Sequence, residues 1–370
     1  MIMVPAERLA PELFDGERLT TARLYRGLHK IDVARAIDVT PAAVGQYEQG
    51  RTRPSPAVLA ALSLRLGFPP TYFESGRQIF RAPEGQAHFR RLRATSKMHR
   101  DQVLARIALL TEILTEVERR VDLPAVGVPD LVIENDDVDA VVAAAALVRQ
   151  RWGLGDGPID HMVRLLETKG VIVVRPTIDT SDIDAFSTVV AGRPIVVLAR
   201  NKDDAARSRF DAAHELGHLV MHHDAEPGHA AVERAAQRFA AAFLLPAEPL
   251  LRELPRHVNW EAYFELKRRW RVSLGALLYR ARTLGVLSPD AYQRAQVRMA
   301  QRGWREEEPI DIGAPEQPRL LQRGLDLMNS ELGVAPLDVA RAIRLSGEVF
   351  SDLVADVAAG NEYRPTVPVG

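Results

Sequence analysis

Apolar residues recur at helical spacing along most of the chain, whereas the apolar runs typical of strands are confined to its centre. Short helical segments separated by tight turns fill residues 19–73, and one longer amphipathic helix is predicted at 101–122. Further helices are expected at 138–152, 159–169, 204–222, 230–245 and beyond Pro246. The strand candidates are 171–174, 185–190 and 194–199. The pattern predicts a mostly helical chain with a small central sheet and reveals no internal repeat.

Composition excludes several classes of protein without indicating a function. The chain holds 48 Lys and Arg against 49 Asp and Glu, which argues against a polybasic nucleic-acid coat, although one domain can still carry a basic face. The lack of cysteine excludes disulfides, thiolate metal sites, a cysteine nucleophile and iron–sulfur clusters. Since there is neither a signal segment nor an apolar run of about 18 residues, we expect a cytoplasmic protein without membrane contact.

The most informative stretch is His214-Glu215-Leu216-Gly217-His218. Residues four apart on a helix face the same way, so His214 and His218 can direct ring nitrogens at one metal ion. Glu215 is rotated away from that pair but stays close enough to accept a proton from a water on the metal. This is the arrangement of zinc peptidases, in which zinc lowers the pKa of water to about 7 and polarises a carbonyl. The alternative is two surface histidines, which the apolar residues around them in this helix disfavour.

A catalytic zinc ion requires a third protein ligand. Glu233 is the preferred candidate, because it opens the next predicted helix and a loop at 224–228 lets that helix fold back against the first. A solvated glutamate favoured by the helix dipole is the alternative explanation for Glu233. The other candidate ligands are His222, His223, Asp224 and His229. We also consider His222 as an oxyanion or substrate contact.

These stretches resemble the ImmA/IrrE family of zinc peptidases. The resemblance rests on 209–222 and 233–246, and stretches upstream and downstream also fit, so that it covers roughly 138–308. It implies that His214, His218 and Glu233 bind Zn²⁺ and that Glu215 is the general base. Gln237 departs from the asparagine that the family usually has, so a hydrogen bond to a ligand can differ there. The family's known role is cleavage of a partner regulator, often a helix-turn-helix repressor, in stress or mobile-element responses.

The N-terminal segment carries an independent signal. Helices are predicted at 19–27 and 30–37, and Thr40 caps a third helix that has Pro41 at its first position. Apolar residues expected to close this bundle are Leu24, Ile31, Val33, Ala34, Ile37, Val44 and Leu62. The stretch 44–56 resembles the XRE/Cro-like helix-turn-helix family, in which the third helix enters the DNA major groove.

That resemblance assigns base contacts and phosphate contacts. Residues expected to face bases are Thr40, Ala42, Ala43 and Gln46, with glutamine suited to adenine. Arg51 and Arg53 are expected to bind phosphates. Residues 1–79 hold ten basic and eight acidic side chains, a weak positive charge that leaves a protein-contact bundle as the alternative. A basic run at 88–100 is either a further phosphate contact or a solvated linker.

We therefore expect a multidomain protein with an all-α helix-turn-helix domain, an α+β zincin-like metallopeptidase domain containing a small sheet, and a helical C-terminal region. The expected boundaries are 15–75, 76–137 for a basic linker and connecting helix, 138–250 and 251–370.

The expected function is a DNA-binding regulator whose zinc endopeptidase cleaves a partner protein. The alternative is a repressor or antitoxin whose zincin domain binds or senses. Expected partners are double-stranded DNA and a regulator or toxin encoded nearby. A homodimer is also considered, and we expect the substrate to add as a strand beside one of the candidate strands, with 194–199 as the preferred one.

Overall fold

Helices dominate the protein, and one three-stranded sheet lies at its centre. The structure is a computed structural model that describes residues 11–81, 96–133, 137–178, 185–199, 204–221 and 230–358. The predicted combination of an all-α N-terminal part, an α+β centre and a helical C-terminal part is confirmed. Within the described ranges, no helix has the length and apolar character needed to cross a membrane.

The N-terminal part is a bundle of short helices that begin at side-chain caps. These are α1 (Gly16–Tyr25), α2 (Lys30–Ala36), α3 (Pro41–Glu48) and α4 (Pro56–Leu66), followed by a 3-10 turn at Pro70–Phe73. The Thr40 side chain accepts a hydrogen bond from the Ala43 N–H and Pro41 opens the helix, so the predicted start of α3 is confirmed. Ile31 was expected in the bundle core but is 52% exposed, because it lies on the solvent side of α2, away from Val33 and Ile37.

The long helix α5 (Lys97–Glu118) joins this bundle to the rest of the chain. It starts earlier than the periodicity predicted, because the Ser96 hydroxyl accepts a hydrogen bond from the His99 N–H and caps it. Most of its residues are buried, since α1 packs on one side and C-terminal helices pack on others. The basic run at 88–100 lies largely outside the described residues.

The central sheet contains three strands in the order β1-β3-β2. The chain enters it through α6 (Val138–Trp152) and α7 (Met162–Thr168), and the strands are β1 (Ile172–Val174), β2 (Ala185–Val190) and β3 (Arg193–Leu198). β1 pairs parallel to β3, with Ile172 opposite Ile195. β2 pairs antiparallel to β3 through a turn at Ala191 and Gly192. The strand at 194–199 is therefore hydrogen-bonded on both sides, so our choice of it as the strand beside which the substrate adds is wrong.

Two packed helices lie next to this sheet, and a helical segment follows them. They are α8 (Ala205–Met221) and α9 (Ala230–Leu244). The next helices are α10 (Ala247–Glu253), α11 (Trp260–Trp270), α12 (Leu274–Thr283) and α13 (Pro289–Gln301). The last three are α14 (Leu320–Leu332), α15 (Pro336–Ala342) and α16 (Gly347–Ala355).

The sheet separates two hydrophobic clusters, because successive strand residues point to opposite faces. Ile195 and Val197 join a first cluster with the N-terminal bundle, α5 and α14 to α16. Val196 and Leu198 join a second cluster with α6 to α9 and the helices as far as α13. The expected C-terminal region 251–370 is thus divided between the two clusters. The boundaries drawn from the sequence stay predictions, while the packing places 321–358 with the N-terminal bundle.

Candidate metal centre and nucleic-acid interface

His214 and His218 lie on successive turns of α8 and face the same side. Their Nε2 atoms are 3.1 Å apart, and the rings are inclined by 75° to each other. Both residues are buried, although imidazoles strongly prefer polar partners. The four-residue spacing in the sequence thus brings two nitrogen donors together inside the protein.

Glu233, in the first turn of α9, supplies the third donor. Its Oε2 lies 3.4 Å from His214 Nε2, and its Oε1 lies 3.8 Å from His218 Nε2. One donor atom from each residue can be chosen so that all lie within 4.8 Å of one another. Donors bound to a tetrahedral zinc ion at about 2.0–2.1 Å would be separated by about 3.3–3.4 Å, so two nitrogens and a carboxylate at these distances fit such an ion. The rival ligands His222, His223, Asp224 and His229 fall outside the described residues.

A glycine between the two histidines allows α9 to approach closely enough for Glu233 to reach them. A Cβ built on Gly217 would lie 3.0 Å from Cδ1 of Phe239 and 3.2 Å from its Cβ. Phe239 is fully buried in α9, so it has little room to move. The glycine in the motif is therefore explained by helix packing, and that packing sets the distance between the histidines and Glu233.

Glu215 is held from the opposite side by a residue that sequence reasoning did not assign. The hydroxyl of Ser187 in β2 donates a 2.8 Å hydrogen bond to Glu215 Oε2. Glu215 is only 1% exposed and Ser187 is fully buried. Glu215 is not among the three residues whose donor atoms converge in the described part of the chain. The sequence signal for Ser187 was its place in the stretch 184–187, which fits the family resemblance, and the packing of α8 against β2 brings it to Glu215.

A buried ion pair anchors the N-terminal half of α8. Arg209 bonds Glu316 and the backbone oxygen of Ile159, and Glu316 also accepts a 2.8 Å hydrogen bond from the Val163 N–H. Burial alone would raise the pKa of Glu316, but His161, Arg209 and that N–H together hold it below its ordinary value. The carboxylate therefore remains charged at neutral pH and fixes the helix that carries the histidines.

A cavity of about 1040 Å³ lies beside α8 and α9, and its lining among the described residues includes none of the three converging donors. Phe210 and Asp211 of α8 and Gln237 of α9 are on its wall, each about one turn from a donor residue, and the segment 304–313 lies opposite. Gln237, the departure from the family pattern, thus lines this cavity about one helical turn from Glu233. The space is large enough for several peptide side chains.

The residues predicted to contact DNA lie on or just beyond α3, and most of them are exposed. Exposed side chains in this set are Thr40, Ala42, Gln46, Arg51 and Arg53, whereas Ala43 is half-buried. Thr40 already uses its side-chain oxygen to cap α3. The bundle therefore leaves one face of the third helix open to solvent, with two arginines beyond its end.

Charged contacts fix α3 on the bundle. The carboxylate of Glu48 lies 2.5 Å from Arg23 Nε and 3.1 Å from Lys30 Nζ, so α1 and α2 both hold the end of α3. A side chain at Gly16 would collide with the backbone oxygen of Tyr47, which shows how closely α1 approaches that end. The exposed face of α3 is thus presented from a rigid support.

Comparison with protein families identifies two parts of the chain. Residues 19–73 match a helix-turn-helix family, and residues 166–282 match the peptidase M78 family, described as an IrrE N-terminal-like domain. The chain joins a helix-turn-helix to an IrrE N-terminal-like domain. Both resemblances drawn from the sequence are confirmed. A search of curated proteins gives no match.

The matched ranges cover the two candidate sites. The helix-turn-helix match contains α1 to α4, and the IrrE N-terminal-like match contains the sheet, α8 and α9. The chain therefore has a DNA-binding type of domain and a metallopeptidase-like domain. Helices α14 to α16 lie outside both matches, although they pack against the first of these domains.

Proposed function

We propose that this protein is a DNA-binding regulator whose zinc-dependent endopeptidase domain cleaves a specific partner protein, such as a repressor acting in a stress or mobile-element response. The observation that carries the proposal is the convergence of His214, His218 and Glu233 beside a separate buried carboxylate, Glu215. A site that only bound metal for stability would not need the additional carboxylate.

The residues of the site divide the chemistry among themselves. His214, His218 and Glu233 would hold Zn²⁺, whose bound form supplies an acidified water and a polarised carbonyl. Glu215 takes the proton from the attacking water and later transfers it to the leaving amine. Ser187 orients Glu215 by donating a hydrogen bond to its Oε2.

The edge of the sheet offers a place for the substrate backbone. β2 is paired only with β3 in the described part of the sheet, and its Ser187 bonds Glu215. A peptide segment added as a strand beside β2 would therefore pass next to the candidate base. This edge replaces 194–199 as the proposed binding strand, and the cavity bounded by Gln237 would accept side chains of the substrate.

The DNA-binding part would bring the peptidase to a promoter. Gln46 would read a base, and Arg51 and Arg53 would contact phosphates, because all three side chains are exposed. Binding through few basic residues predicts an affinity that falls as salt concentration rises.

The proposal is tested by comparing the wild-type chain with Glu215→Gln and with Glu248→Gln, a matched change at an exposed glutamate of α10. Each is co-expressed with the regulator or toxin encoded nearby, and fragments are identified by mass spectrometry. Wild type and Glu248→Gln should produce a fragment that Glu215→Gln does not. Zinc measured in the purified proteins should be about one ion per chain in all three.

Substitution of the ligands tests the donor set separately. The zinc content should fall in each of His214→Ala, His218→Ala and Glu233→Ala. If Glu233→Ala keeps its full zinc content, one of the rival residues is the third ligand. If zinc-loaded protein never cuts a partner and still represses its promoter, the function is that of a repressor or antitoxin whose metal domain senses.

A further inference from the structure

The last helices of the chain repeat a segment of the N-terminal bundle. Residues 32–37 and residues 338–343 both read Asp-Val-Ala-Arg-Ala-Ile. Each hexapeptide occupies the same place in a seven-residue helix, α2 (Lys30–Ala36) in the first case and α15 (Pro336–Ala342) in the second. The hydrophobic periodicity did not reveal this repeat, because the residues on either side of the two hexapeptides differ. Our expectation that the chain contains no internal repeat is therefore wrong.

The backbone around the two hexapeptides repeats at the same spacing. The turn before the helix has a glycine with positive φ, Gly27 at 65° and Gly333 at 63°. The turn after it has a non-glycine residue in the left-handed region, Asp38 at 55° and Arg344 at 57°. Left-handed non-glycine residues are uncommon, so their recurrence at equivalent positions indicates the same turn.

The helix after each turn also begins in the same way. Thr40 caps α3 and Ser346 caps α16, each by accepting a hydrogen bond from the N–H three residues later. Equivalent buried pairs are Leu19 and Leu325, Val33 and Val339, Ala34 and Ala340, Ile37 and Ile343, and Val44 and Phe350. Helices α14, α15 and α16 thus reproduce α1, α2 and α3, including the core positions.

We infer that residues 320–358 are a second helix-turn-helix unit that docks onto the rest of this chain instead of reading DNA. The positions that correspond to the exposed Ala42 and Gln46 hold Glu348 and Asp352. The position that corresponds to Arg51 holds Val357, which is buried. Acidic side chains repel phosphates and a buried valine reaches none, so the chemistry of this unit suits arginine and hydroxyl partners.

The acidic positions of α16 bind the end of α1. Asp352 Oδ2 accepts a 2.5 Å hydrogen bond from the Tyr25 hydroxyl, and Glu348 lies 3.1 Å from the guanidinium of Arg26. The cap residue Ser346 also donates to the backbone oxygen of Gly67, at the end of α4. The helix that would read DNA in a functional unit is therefore turned towards the first unit.

The same helix reaches α5 and the end of the sheet. Arg106 of α5 donates to Asp352 over 2.9 Å and to Asp356 over 2.6 Å. Asp356 also accepts from the Thr177 N–H at 2.7 Å, and its backbone oxygen accepts from the Arg175 N–H at 2.7 Å. Arg175 in turn donates to Ser208 of α8, the helix of the metal centre. The second unit is thus a clamp between the DNA-binding bundle and the metal-bearing domain.

Docking leaves α3 uncovered, because the contacts use the ends of α1 and α4 and the turn at Pro70–Phe73. In the part of the chain that the structure describes, there are therefore two helix-turn-helix units but a single exposed reading face. This inference does not depend on peptidase activity.

Hydrogen exchange of the full chain tests the clamp. Asp352→Asn should raise exchange rates roughly tenfold or more in α16, in the last turn of α1 and at Thr177, because it weakens the charged bond to Arg106. Exchange in α3 and α11 should stay unchanged. The matched control Asp326→Asn removes an exposed carboxylate of α14 that bonds Gln322 in its own helix, and it should change no other element.

Tyr25→Phe is a second variant. It removes the hydrogen bond between Tyr25 and Asp352 by deleting the hydroxyl that donates it. The double variant Tyr25→Phe/Asp352→Asn should increase exchange by less than the product of the two single effects, since both remove one interaction. Effects confined to 320–358, or fully independent effects, would overturn the docking role.

A DNA library tests the lost reading function. Sequence preference of the full chain should be the same for Asp352→Ala and wild type, and the same should hold for Glu348→Ala. If either substitution alters base preference, or abolishes specific binding that persists in Gln46→Ala/Arg51→Ala, the second unit reads DNA and the inference fails. A chain that binds no DNA in any form leaves the exchange result to decide.

Discussion

The metal centre and the DNA-reading face represent opposite uses of polar side chains. His214, Glu215 and His218 are almost fully buried on a helix, and the partners that position them are Ser187 and Glu233. Gln46 and Arg51 are exposed to solvent. The side chains of the metal centre are thus positioned by contacts inside the protein, whereas those of the reading face extend into solvent.

The difference has an energetic origin. Burying imidazoles and carboxylates is costly unless they are paired, so the metal centre depends on the close packing of α8 against α9 and β2. Exposed side chains remain hydrated, and their contribution appears on binding through phosphate neutralisation and base contacts. Substitutions in the metal centre and in the reading face should therefore have effects of different size and should change different properties of the protein.

The largest expected effect follows from Glu215→Gln. The amide keeps the volume of the side chain but cannot accept the proton of water, so the cleavage rate should fall roughly 10²–10⁴-fold. Zinc content and thermal stability should change little, since Glu215 is not among the converging donors. Rates of fragment formation and metal analysis measure the two effects, and an unchanged cleavage rate would remove Glu215 from the mechanism.

The second largest effect is expected from the buried ion pair of Arg209 and Glu316, which anchors α8. Glu316→Gln leaves Arg209 buried beside a neutral group, so the free energy of unfolding at neutral pH should fall by roughly 3–5 kcal/mol. The pKa of Glu316 is lowered in the folded protein, so its stabilising contribution is complete above its ordinary pKa of 4.5 and is lost as pH falls through the lowered value. Urea unfolding at several pH values should show the two proteins converging at acidic pH. A constant difference would contradict this account.

Gly217→Ala should have a smaller effect on the same centre. The added Cβ would lie 3.0 Å from Phe239, which forces α9 outwards and lowers stability by roughly 1–3 kcal/mol. Zinc affinity should fall because Glu233 moves away from the histidines. Gly275→Ala is the control, since a Cβ there meets only Ser273 Oγ at 3.7 Å. Equal zinc affinity in both variants would show that α9 packing does not set the site.

The reading face should give the smallest effects, and these should appear only with DNA. Gln46→Ala should cost roughly 1–3 kcal/mol at one base pair and relax its preference, without altering protein stability. Arg51→Ala should weaken binding to all DNA sequences alike, and it should reduce the slope of log affinity against log salt concentration by about one. Binding isotherms at several salt concentrations separate these effects. If Gln46→Ala lowers the affinity for all DNA sequences equally, Gln46 contacts the DNA backbone and does not read a base.

Sequence patterns predicted α3 and the histidine pair because both depend on neighbouring residues. Thr40 and Pro41 define a helix start through bonds within four residues, and a spacing of four places His214 and His218 on one helix face. The exposure of Ile31 was not predicted, because periodicity in a seven-residue helix does not define which side packs. The substrate edge was misassigned because strand order is set by pairing between distant segments.

Local spacing by itself determined the helices, their caps and the two histidines that face one point. The sequence favoured Glu233 as the third donor without fixing its position, and the tertiary structure brings it to the histidines. Tertiary structure alone decided that Ser187 holds Glu215 and that α16 binds Tyr25. The physical reason is range: caps and helical faces follow from bonds among neighbours, whereas these contacts join residues whose proximity depends on how α9, β2 and α16 pack.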